Sequence, residues 1–459
     1  MTPQPFMQHS PYIPVDPSVG AYVTTFGHLS PLTYTGWKDE VMSFKESCYI
    51  HGGLNPPAPF RVTGPEATKM LNEVCVNNVE NLKVGKSTHA ILCAPTGNII
   101  EHGMLLRLGE QEYLSYFLSP PLAYYGSTGR WNATVEDLTG QVFVFQVAGP
   151  RSLEVLETAF GQELRDIPYL GHRQGLRLVD QTVETGELQV LRIGMAGVLS
   201  YEVGGNIADA IAVYDALEAA GQEFGIRRFS LGTWFPFQHT ENGFAQSIGH
   251  FQLAFDDDPG LSAWLSETLP PSWPTHPNLH GSMGPDLRKR YINPVDVGWD
   301  YLVKLDHDFV GREALEPLKA NPTKKMVTLE WNVEDILDTY RSHFEPGEEH
   351  QLIGFPTDSP FENPGWSAYN DQVLKDGVYV GMSMGRVYSY YYRKMISICP
   401  IDVACGEPGT EVSVLWGEPG TRQKEIRATV SAFPILDLPR NEQIDVSTLP
   451  RVVSAGGAA

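Results

Sequence analysis

The chain has 459 residues, 42% of them hydrophobic, which is more than one hydrophobic core usually holds, so two or three domains are expected. The formal charge is −22, with 33 Lys+Arg against 55 Asp+Glu, and this disfavours nucleic acid and anionic membranes as partners. There is no apolar run of about 18 residues, and the N-terminus lacks a signal-peptide pattern. These features predict a cytoplasmic protein that binds a small molecule, either as a monomer or as a homo-oligomer.

Periodic apolar positions predict the elements of the first half of the chain. Helices are predicted over 37–47, 66–74, 152–160 and 209–221, and strands over 60–63, 141–147 and 188–195. A hairpin is predicted from His89 to Leu108, with its turn at Pro95–Asn98. Residues 256–290 are rich in acidic and turn residues, and we expect them to form a long surface excursion.

The second half changes character after Asn321-Pro322. Before that point, the apolar residues from Val295 to Leu305 are irregularly spaced and predict a buried connector, after which Asp306 or Asp308 caps a short helix. Beyond it, strands are predicted over 325–331, 378–384, 388–398, 411–416 and 426–431. The sequence therefore predicts an α+β protein whose C-terminal domain is all-β, such as a barrel or a sandwich.

The five cysteines give no metal-binding pattern. Their number is odd and no C-x-x-C pair occurs, so reduced thiols are the simplest interpretation and no metal site is predicted.

A glycine-containing turn at 194–197 is followed by Tyr201 and Glu202. One carboxylate can accept two parallel N–H donors from the edge of a flat heterocycle, which makes Glu202 a candidate ligand. The alternative is that Glu202 merely lies beside a turn.

The predicted hairpin carries Glu101 and His102. Histidine titrates near neutral pH and could move a proton, so both residues are candidates for catalysis. The alternative is a half-buried histidine whose ring is satisfied by backbone groups.

Two further segments carry candidate residues. Residues 235–244 contain His239 and Glu241, which are either polar residues of a helical core or members of a site. Residues 386–394 form a tyrosine-rich strand, in which Tyr390 could reach a ligand, although most such tyrosines serve packing.

The string Lys304-Leu305-Asp306, followed by Asp308 to Leu315, resembles a signature of the glycine-cleavage T-protein (aminomethyltransferase) superfamily. This resemblance implies a three-domain, disc-like fold, with two intertwined α+β domains in residues 1–322 and a β-barrel domain in residues 323–459. It also implies tetrahydrofolate in a central channel. Cofactor-binding roles follow for Glu202, with Tyr201 and Glu241 beside it, and Glu101-His102 stands where the family has paired aspartates.

Residues 381–384, 388–390 and 409–418 look most like the tetrahydrofolate-dependent O-demethylases of lignin-derived methoxy-aromatics. Three positions depart from that branch. Phe235 stands where those enzymes have a tyrosine, and Leu118 stands where they have an arginine. Asn55 lies in the segment of this chain that replaces their Gln-Thr-His-His. Together with Tyr390, these residues are the candidates for substrate binding. Without the arginine, the resemblance implies a neutral or larger aromatic substrate.

The leading hypothesis is therefore O-demethylation of a lignin-derived methoxylated aromatic, with methyl transfer to tetrahydrofolate and His102, Glu101 and His239 as proton-handling residues. A second hypothesis is a folate-independent lyase that releases formaldehyde from a hydroxymethyl side chain of an aromatic dimer. A third is a folate-binding protein without catalysis.

Overall fold

The computed structural model describes residues 8–25, 27–53, 55–179, 186–194, 196–247, 249–269, 277–358 and 367–452. Several predicted segments extend outside the described residues, namely at Leu54, Met195, 270–276 and 453–459. Within the described ranges, no helix has the length and apolar content that crossing a membrane requires.

Thirteen strands and seven helices precede residue 250 in the described part of the chain. The strands are β1 (Tyr22–Thr25), β2 (His28–Pro31), β3 (Cys48–His51), β4 (Phe60–Thr63), β5 (Ser87–Cys93), β6 (Ile99–Gly109), β7 (Glu112–Tyr116), β8 (Thr134–Asp137), β9 (Val142–Ala148), β10 (His172–Leu176), β11 (Leu188–Leu191), β12 (Ser200–Asn206) and β13 (Ile226–Arg228). The helices are α1 (Trp37–Glu46), α2 (Ala67–Val74), α3 (Pro121–Ser127), α4 (Ser152–Phe160), α5 (Ala210–Gly221), α6 (Leu231–Thr233) and α7 (His239–Asn242), with a π-helical segment, Trp234–Gln238, between the last two.

The remaining elements belong mainly to the C-terminal part. They are α8 (Pro259–Thr268), β14 (Asn278–His280), α9 (Arg312–Ala320), β15 (Lys324–Trp331), α10 (Val333–Ser342), β16 (Ser367–Lys375), β17 (Val378–Ser389), β18 (Lys394–Asp402), β19 (Glu411–Trp416) and β20 (Lys424–Ser431). The four helices predicted before residue 222 and the predicted hairpin are confirmed to within about two residues at each end.

Two large sheets, besides the small β1-β2 sheet, lie in the first half of the described chain. A six-stranded sheet has the order β10-β11-β12-β9-β3-β13, and a five-stranded sheet has the order β5-β6-β7-β4-β8. The whole five-stranded sheet is inserted in sequence between β3 and β9, which are neighbours in the other sheet. Helices α4 and α5 pack on the outer face of the six-stranded sheet, where Phe145, Leu156 and Val213 belong to one apolar core.

The C-terminal strands close into a six-stranded barrel. Strand β16 pairs with both β17 and β19, and this double pairing closes the order β16-β17-β18-β15-β20-β19. The predicted all-β character is therefore confirmed, and of the two alternatives it is the barrel.

Three predictions about local structure are wrong. The supposed surface excursion contains α8, which buries Leu261 and Leu265, and ends at the fully buried Arg290. Neither Asp306 nor Asp308 caps α9, because the helix starts only after Gly311, whose φ of 88° lies in the left-handed region. The predicted strand 388–398 is in fact the end of β17, a turn and the start of β18.

The connector before α9 behaves as predicted. Val297, Trp299 and Val303 are buried in a core shared with β5 and the barrel, and only a short 3₁₀ turn interrupts the irregular backbone.

Candidate functional site

A row of polar side chains crosses the middle of the six-stranded sheet. Gln146 on β9 lies opposite His51 on β3 and opposite Glu202 on β12, and all three strands are antiparallel to their neighbours in the row. Directly opposed residues project from the same face of a sheet. Tyr49 lies two residues before His51 and so shares that face.

The Glu202 carboxyl group lies in this row without a protein partner. Its residue is 7% exposed, and no group in the described ranges donates a hydrogen bond to it. Burial raises its pKa to about 8. A buried carboxyl group with neither an ion pair nor a hydrogen bond is costly, and groups of this kind concentrate at ligand sites.

The segment Trp234–Gln238 covers the row. The Trp234 indole N–H donates to Gln146 Oε1 at 3.3 Å, and its ring stacks on His51 with centroids 4.9 Å apart. The Gln238 amide donates to the Tyr49 hydroxyl, which in turn donates to Gln146 Oε1. Pro236 has no N–H and cannot continue a regular helical ladder, which suits a π-type turn of the kind often found at functional sites.

His51 and His239 each have an Nε2 that keeps its lone pair. Nδ1 of His51 lies 2.8 Å from the Phe229 carbonyl, and Nδ1 of His239 lies 3.2 Å from the Phe244 carbonyl. A carbonyl oxygen only accepts, so each Nδ1 carries the proton and each Nε2 keeps a lone pair. Neither Nε2 has a hydrogen-bond partner among the described residues. Burial lowers the pKa of His51 to about 3 and that of His239 to about 4, so both are neutral bases at pH 7.

Two amides complete the cluster. Gln146 Nε2 and Gln238 Oε1 are buried, and no partner for either is found in the described part of the chain. The cluster thus combines a carboxyl group, an amide donor, an amide acceptor and two imidazole acceptors. This donor set suits a flat heterocycle with both N–H and carbonyl groups along its edge.

Two small cavities lie near the cluster. A cavity of about 40 Å³ lies beside Phe235, and one of about 10 Å³ lies beside Phe229. Glu202 lines neither of them.

The structure separates Glu101 from His102. Their β6 positions pair with Leu92 and Ile91 respectively, so the two side chains project from opposite faces. Glu101 accepts the His102 backbone N–H at 3.0 Å, and burial holds its pKa well above the usual range.

Both ring nitrogens of His102 are occupied. Nε2 accepts the Ser247 backbone N–H at 3.2 Å, so Nδ1 carries the proton and donates to His89 Nε2 at 3.1 Å. Burial places the pKa of His102 well below its usual range. In this arrangement His102 has no free lone pair for catalysis, and its proposed catalytic role remains a prediction.

The two residues predicted beside Glu202 lie elsewhere. Tyr201 projects from the other face of β12 into the apolar core under α4 and α5, where burial raises its pKa. Glu241 forms a buried ion pair with Lys45 at 2.5 Å and accepts the Ser389 hydroxyl at 2.6 Å. Their roles as cofactor ligands remain predictions that this arrangement does not support.

Of the predicted substrate residues, Phe235 lines the larger of the two cavities described above. Asn55 uses its amide to bridge β9, donating to the Val144 carbonyl at 2.8 Å and accepting the Val144 N–H at 2.8 Å. Leu118 is fully buried in the core of the five-stranded sheet. Tyr390 packs against Trp37, with ring centroids 5.9 Å apart.

Sequence reasoning missed four members of the cluster, namely Tyr49, His51, Gln146 and Gln238. The sequence does single out Gln146, because it is the one polar residue in the strand Val142–Ala148. A polar residue in a buried strand needs a partner or a function. The partners that explain it come from β3 and the π-helical segment, which pattern alone does not bring together.

Comparisons with known proteins agree with this architecture. Residues 17–244 match the GCVT N-terminal domain family. Sesamin methylene transferase of Sinomonas sp. (strain No.22) is 39% identical over 445 residues, which cover 94% of this chain and 96% of that protein. Syringate O-demethylase of Sphingobium sp. (strain NBRC 103272 / SYK-6) is 29% identical over 438 residues, covering 90% and 92%.

The fold is that of aminomethyltransferase T. The crystal structure of this glycine-cleavage protein from Bartonella henselae superposes with a TM-score of 0.65 over 93% of this chain and 95% of that one, at 16% sequence identity. The chain belongs to the aminomethyltransferase (T-protein) family. The predicted fold class and the predicted likeness to the O-demethylase branch are thereby confirmed.

Proposed function

We propose that this protein removes a one-carbon unit from a ring ether of an aromatic compound and transfers it to tetrahydrofolate. Two relatives that match over nearly the whole chain are named for one-carbon removal from aromatic compounds. The observation that carries the proposal is the buried, unpaired carboxyl group of Glu202, at the position that the family resemblance assigns to the pterin ligand.

The substrate we favour is a neutral methylenedioxyphenyl compound. The relative named a methylene transferase is 39% identical, against 29% for the O-demethylase. Leu118 is uncharged and fully buried, so nothing at this position neutralises a substrate carboxylate. Demethylation of a methoxy group remains the second candidate, since the syringate enzyme matches over 90% of the chain.

The donor set fits a pterin. Glu202 would accept two parallel N–H groups, and the amides of Gln146 and Gln238 would face the remaining polar edge. Tetrahydrofolate supplies the nitrogen nucleophile that takes up the one-carbon unit. Glu202 accepts two N–H donors best when it is ionised, so binding would release the proton that its raised pKa holds.

His51 and His239 would handle the protons of the reaction. The unpaired Nε2 of each can take up a proton and return it to a leaving ring oxygen, whose pKa as a phenol is about 10. Trp234 contacts both rings, stacking on His51 and meeting His239 edge-on with centroids 4.9 Å apart, and so fixes their orientation. Phe235 has no proton to donate, which leaves this role to the two imidazoles.

The test is turnover of a methylenedioxybenzene and of a methoxyphenol with and without tetrahydrofolate. We expect catechol and methylenetetrahydrofolate from the first compound, and loss of both products in Glu202→Gln. Catechol and formaldehyde released from methylenedioxybenzene in folate-free buffer would overturn the proposal in favour of hydrolysis by water, and formaldehyde released from a hydroxymethyl-bearing aromatic dimer in that buffer would favour a lyase. Tight folate binding with no turnover of either compound would favour a binding protein instead.

A further inference from the structure

A cavity of about 40 Å³ lies between the π-helical segment and the barrel. Its walls come from that segment, from the loop after α7, from the segment that ends at Asp358 and from the barrel strands β16 and β17, and they include Phe235, Gly249, Ser367 and Arg386. One water needs about 10–15 Å³, so the cavity has room for about three or four water-sized groups. It therefore fits one small substituent and not a ring.

Two residues of the cavity lining each carry a polar atom without a hydrogen-bond partner among the described residues. Ser367 Oγ and Arg386 Nε are buried, and neither has a hydrogen bond within the described ranges. The residues themselves are 2% and 6% exposed. Buried polar groups are nearly always hydrogen-bonded, so a hydroxyl and an N–H without partners on residues of one cavity lining are available to bind an oxygen placed there.

The charge of Arg386 is already balanced. Its guanidinium forms a buried ion pair with Asp358, and their side chains are only 4% and 13% exposed. Asp358 also accepts the Gly354 backbone N–H at 3.0 Å. Since the pair is neutral as a whole, an incoming carboxylate would bring an uncompensated charge into a buried space, whereas a neutral oxygen would not.

Two glycines of the cavity lining have no room for a side chain. A methyl group at Gly249 would come within 2.5 Å of the Phe235 ring, and one at Gly385 would come within 2.2 Å of His250 Nε2. The cavity is also close to the proton-handling residues, because the rings of Phe235 and His250 each lie 6.2 Å from the ring of His239.

We propose that this cavity is the subsite for a neutral oxygen substituent of the aromatic substrate, such as a hydroxyl, a hydroxymethyl or an ether oxygen remote from the reacting ether. This assignment rests on the proposed function. In it, Arg386 Nε donates to the substituent oxygen and Ser367 Oγ exchanges a second hydrogen bond with it. The subsite favours substrates that carry a neutral oxygen substituent at one end of the ring. This preference is independent of the pterin contacts at Glu202.

The test measures binding of three probes by calorimetry without folate. The probes are piperonyl alcohol, its ethyl analogue in which a methyl replaces the hydroxyl, and piperonylate. We expect wild type to bind the alcohol about tenfold more tightly than the ethyl analogue, the effect of one or two net hydrogen bonds, and to bind piperonylate more weakly than the alcohol. Ser367→Ala should abolish most of the preference for the alcohol. Asp358→Asn, which frees the arginine charge, should reverse the order and favour piperonylate.

Thr328→Val is the matched control. Thr328 Oγ1 is likewise buried and has no partner in the described part of the chain, but it lies away from the cavity lining, so its removal should leave the preference unchanged. Equal binding of the alcohol and the ethyl analogue to wild type, or an unchanged preference in Ser367→Ala, would overturn the subsite. Absence of folate-dependent turnover with the preference intact would instead count against the proposed function alone.

Discussion

Glu202 lies directly opposite Gln146 on adjacent antiparallel strands, and the carboxyl group and the amide project from the same face of the sheet. The amide Nε2 and the carboxyl group both lack partners among the described residues. The protein thus keeps two groups unsatisfied in a neighbouring pair, at a cost to stability that a bound ligand would offset.

Glu202→Gln should change how stability depends on pH. The pKa of Glu202 is about 8 in the folded protein and near 4.5 when exposed, so the folded state holds the extra proton between these values. The free energy of unfolding contributed by this group is fully present below pH 4.5 and is lost as pH rises through 8. At pH 9 we expect the variant to exceed wild type by on the order of 5 kcal/mol in denaturant unfolding, with little difference at pH 5. The exposed Glu110→Gln should show no such divergence; parallel curves for Glu202→Gln and wild type would contradict the burial argument.

Folate binding should release a proton in the pH range where Glu202 is still protonated. Calorimetry at pH 7 in buffers of different ionisation enthalpy should show nearly one proton released per tetrahydrofolate bound, falling towards zero by pH 9. Apparent affinity should rise with pH up to about 8 and then level off. In Glu202→Gln the proton release should vanish. Proton release of the same size in that variant would assign it to another group.

His51→Asn and His239→Asn should lower kcat by about a hundredfold or more, the scale of general acid–base catalysis, while folate affinity changes less than about threefold. Because the pKa values of His51 and His239 are about 3 and 4, neither substitution should move a limb of the rate profile between pH 6 and 9. Steady-state kinetics measure both variants, and the exposed His343→Asn variant is the control. A rise in KM with unchanged kcat would mean that the two rings only hold substrate.

Lys45→Met should destabilise the protein by about 3–5 kcal/mol, because it leaves the buried Glu241 carboxylate unpaired. The double variant Lys45→Met with Glu241→Gln should recover much of this loss in thermal unfolding. If Glu241 serves only this ion pair, the double variant binds folate like wild type. A large loss of folate affinity in a stable double variant would restore its predicted role as a ligand.

Asn55→Ala should cost about 3 kcal/mol of stability, because its buried amide exchanges two hydrogen bonds with Val144. We expect KM for the aromatic substrate to stay within about twofold at a temperature where the variant remains folded. The exposed Asn132→Ala gives the baseline for both measurements. A clear increase in KM without loss of stability would show that Asn55 contacts substrate after all.

The sequence predicted the periodic elements well and the special positions poorly. Helix α5 and the hairpin β5–β6 have regular apolar spacing, and both are found where the pattern predicts them. Arg290 was assigned to the surface with residues 256–290 because that segment is rich in acidic and turn residues, yet four carbonyl and amide oxygens accept from its guanidinium in the interior. No local pattern indicates such partners, which come from His280, Gly284, Ala368 and Asn370.

The residues of the site divide in the same way, into those that a sequence pattern indicates and those that only the fold brings together. Glu202 could be singled out because the turn before it matches a family motif. His102 and Glu101 could not be judged from their adjacency, since a strand alternates its side chains and the Ser247 N–H that occupies His102 is distant in sequence. His51 and Gln146 became visible only when strand pairing placed them beside Glu202.

The insertion of one sheet between β3 and β9 determines when activity can arise during refolding. His51, Gln146 and Glu202 are brought together by pairings that span 95 and 56 positions of the chain, so the closure entropy of long loops must be overcome before the row exists. The first of these loops is effectively shortened once the five-stranded sheet that it contains has formed. Recovery of catalysis should therefore lag behind recovery of helical signal.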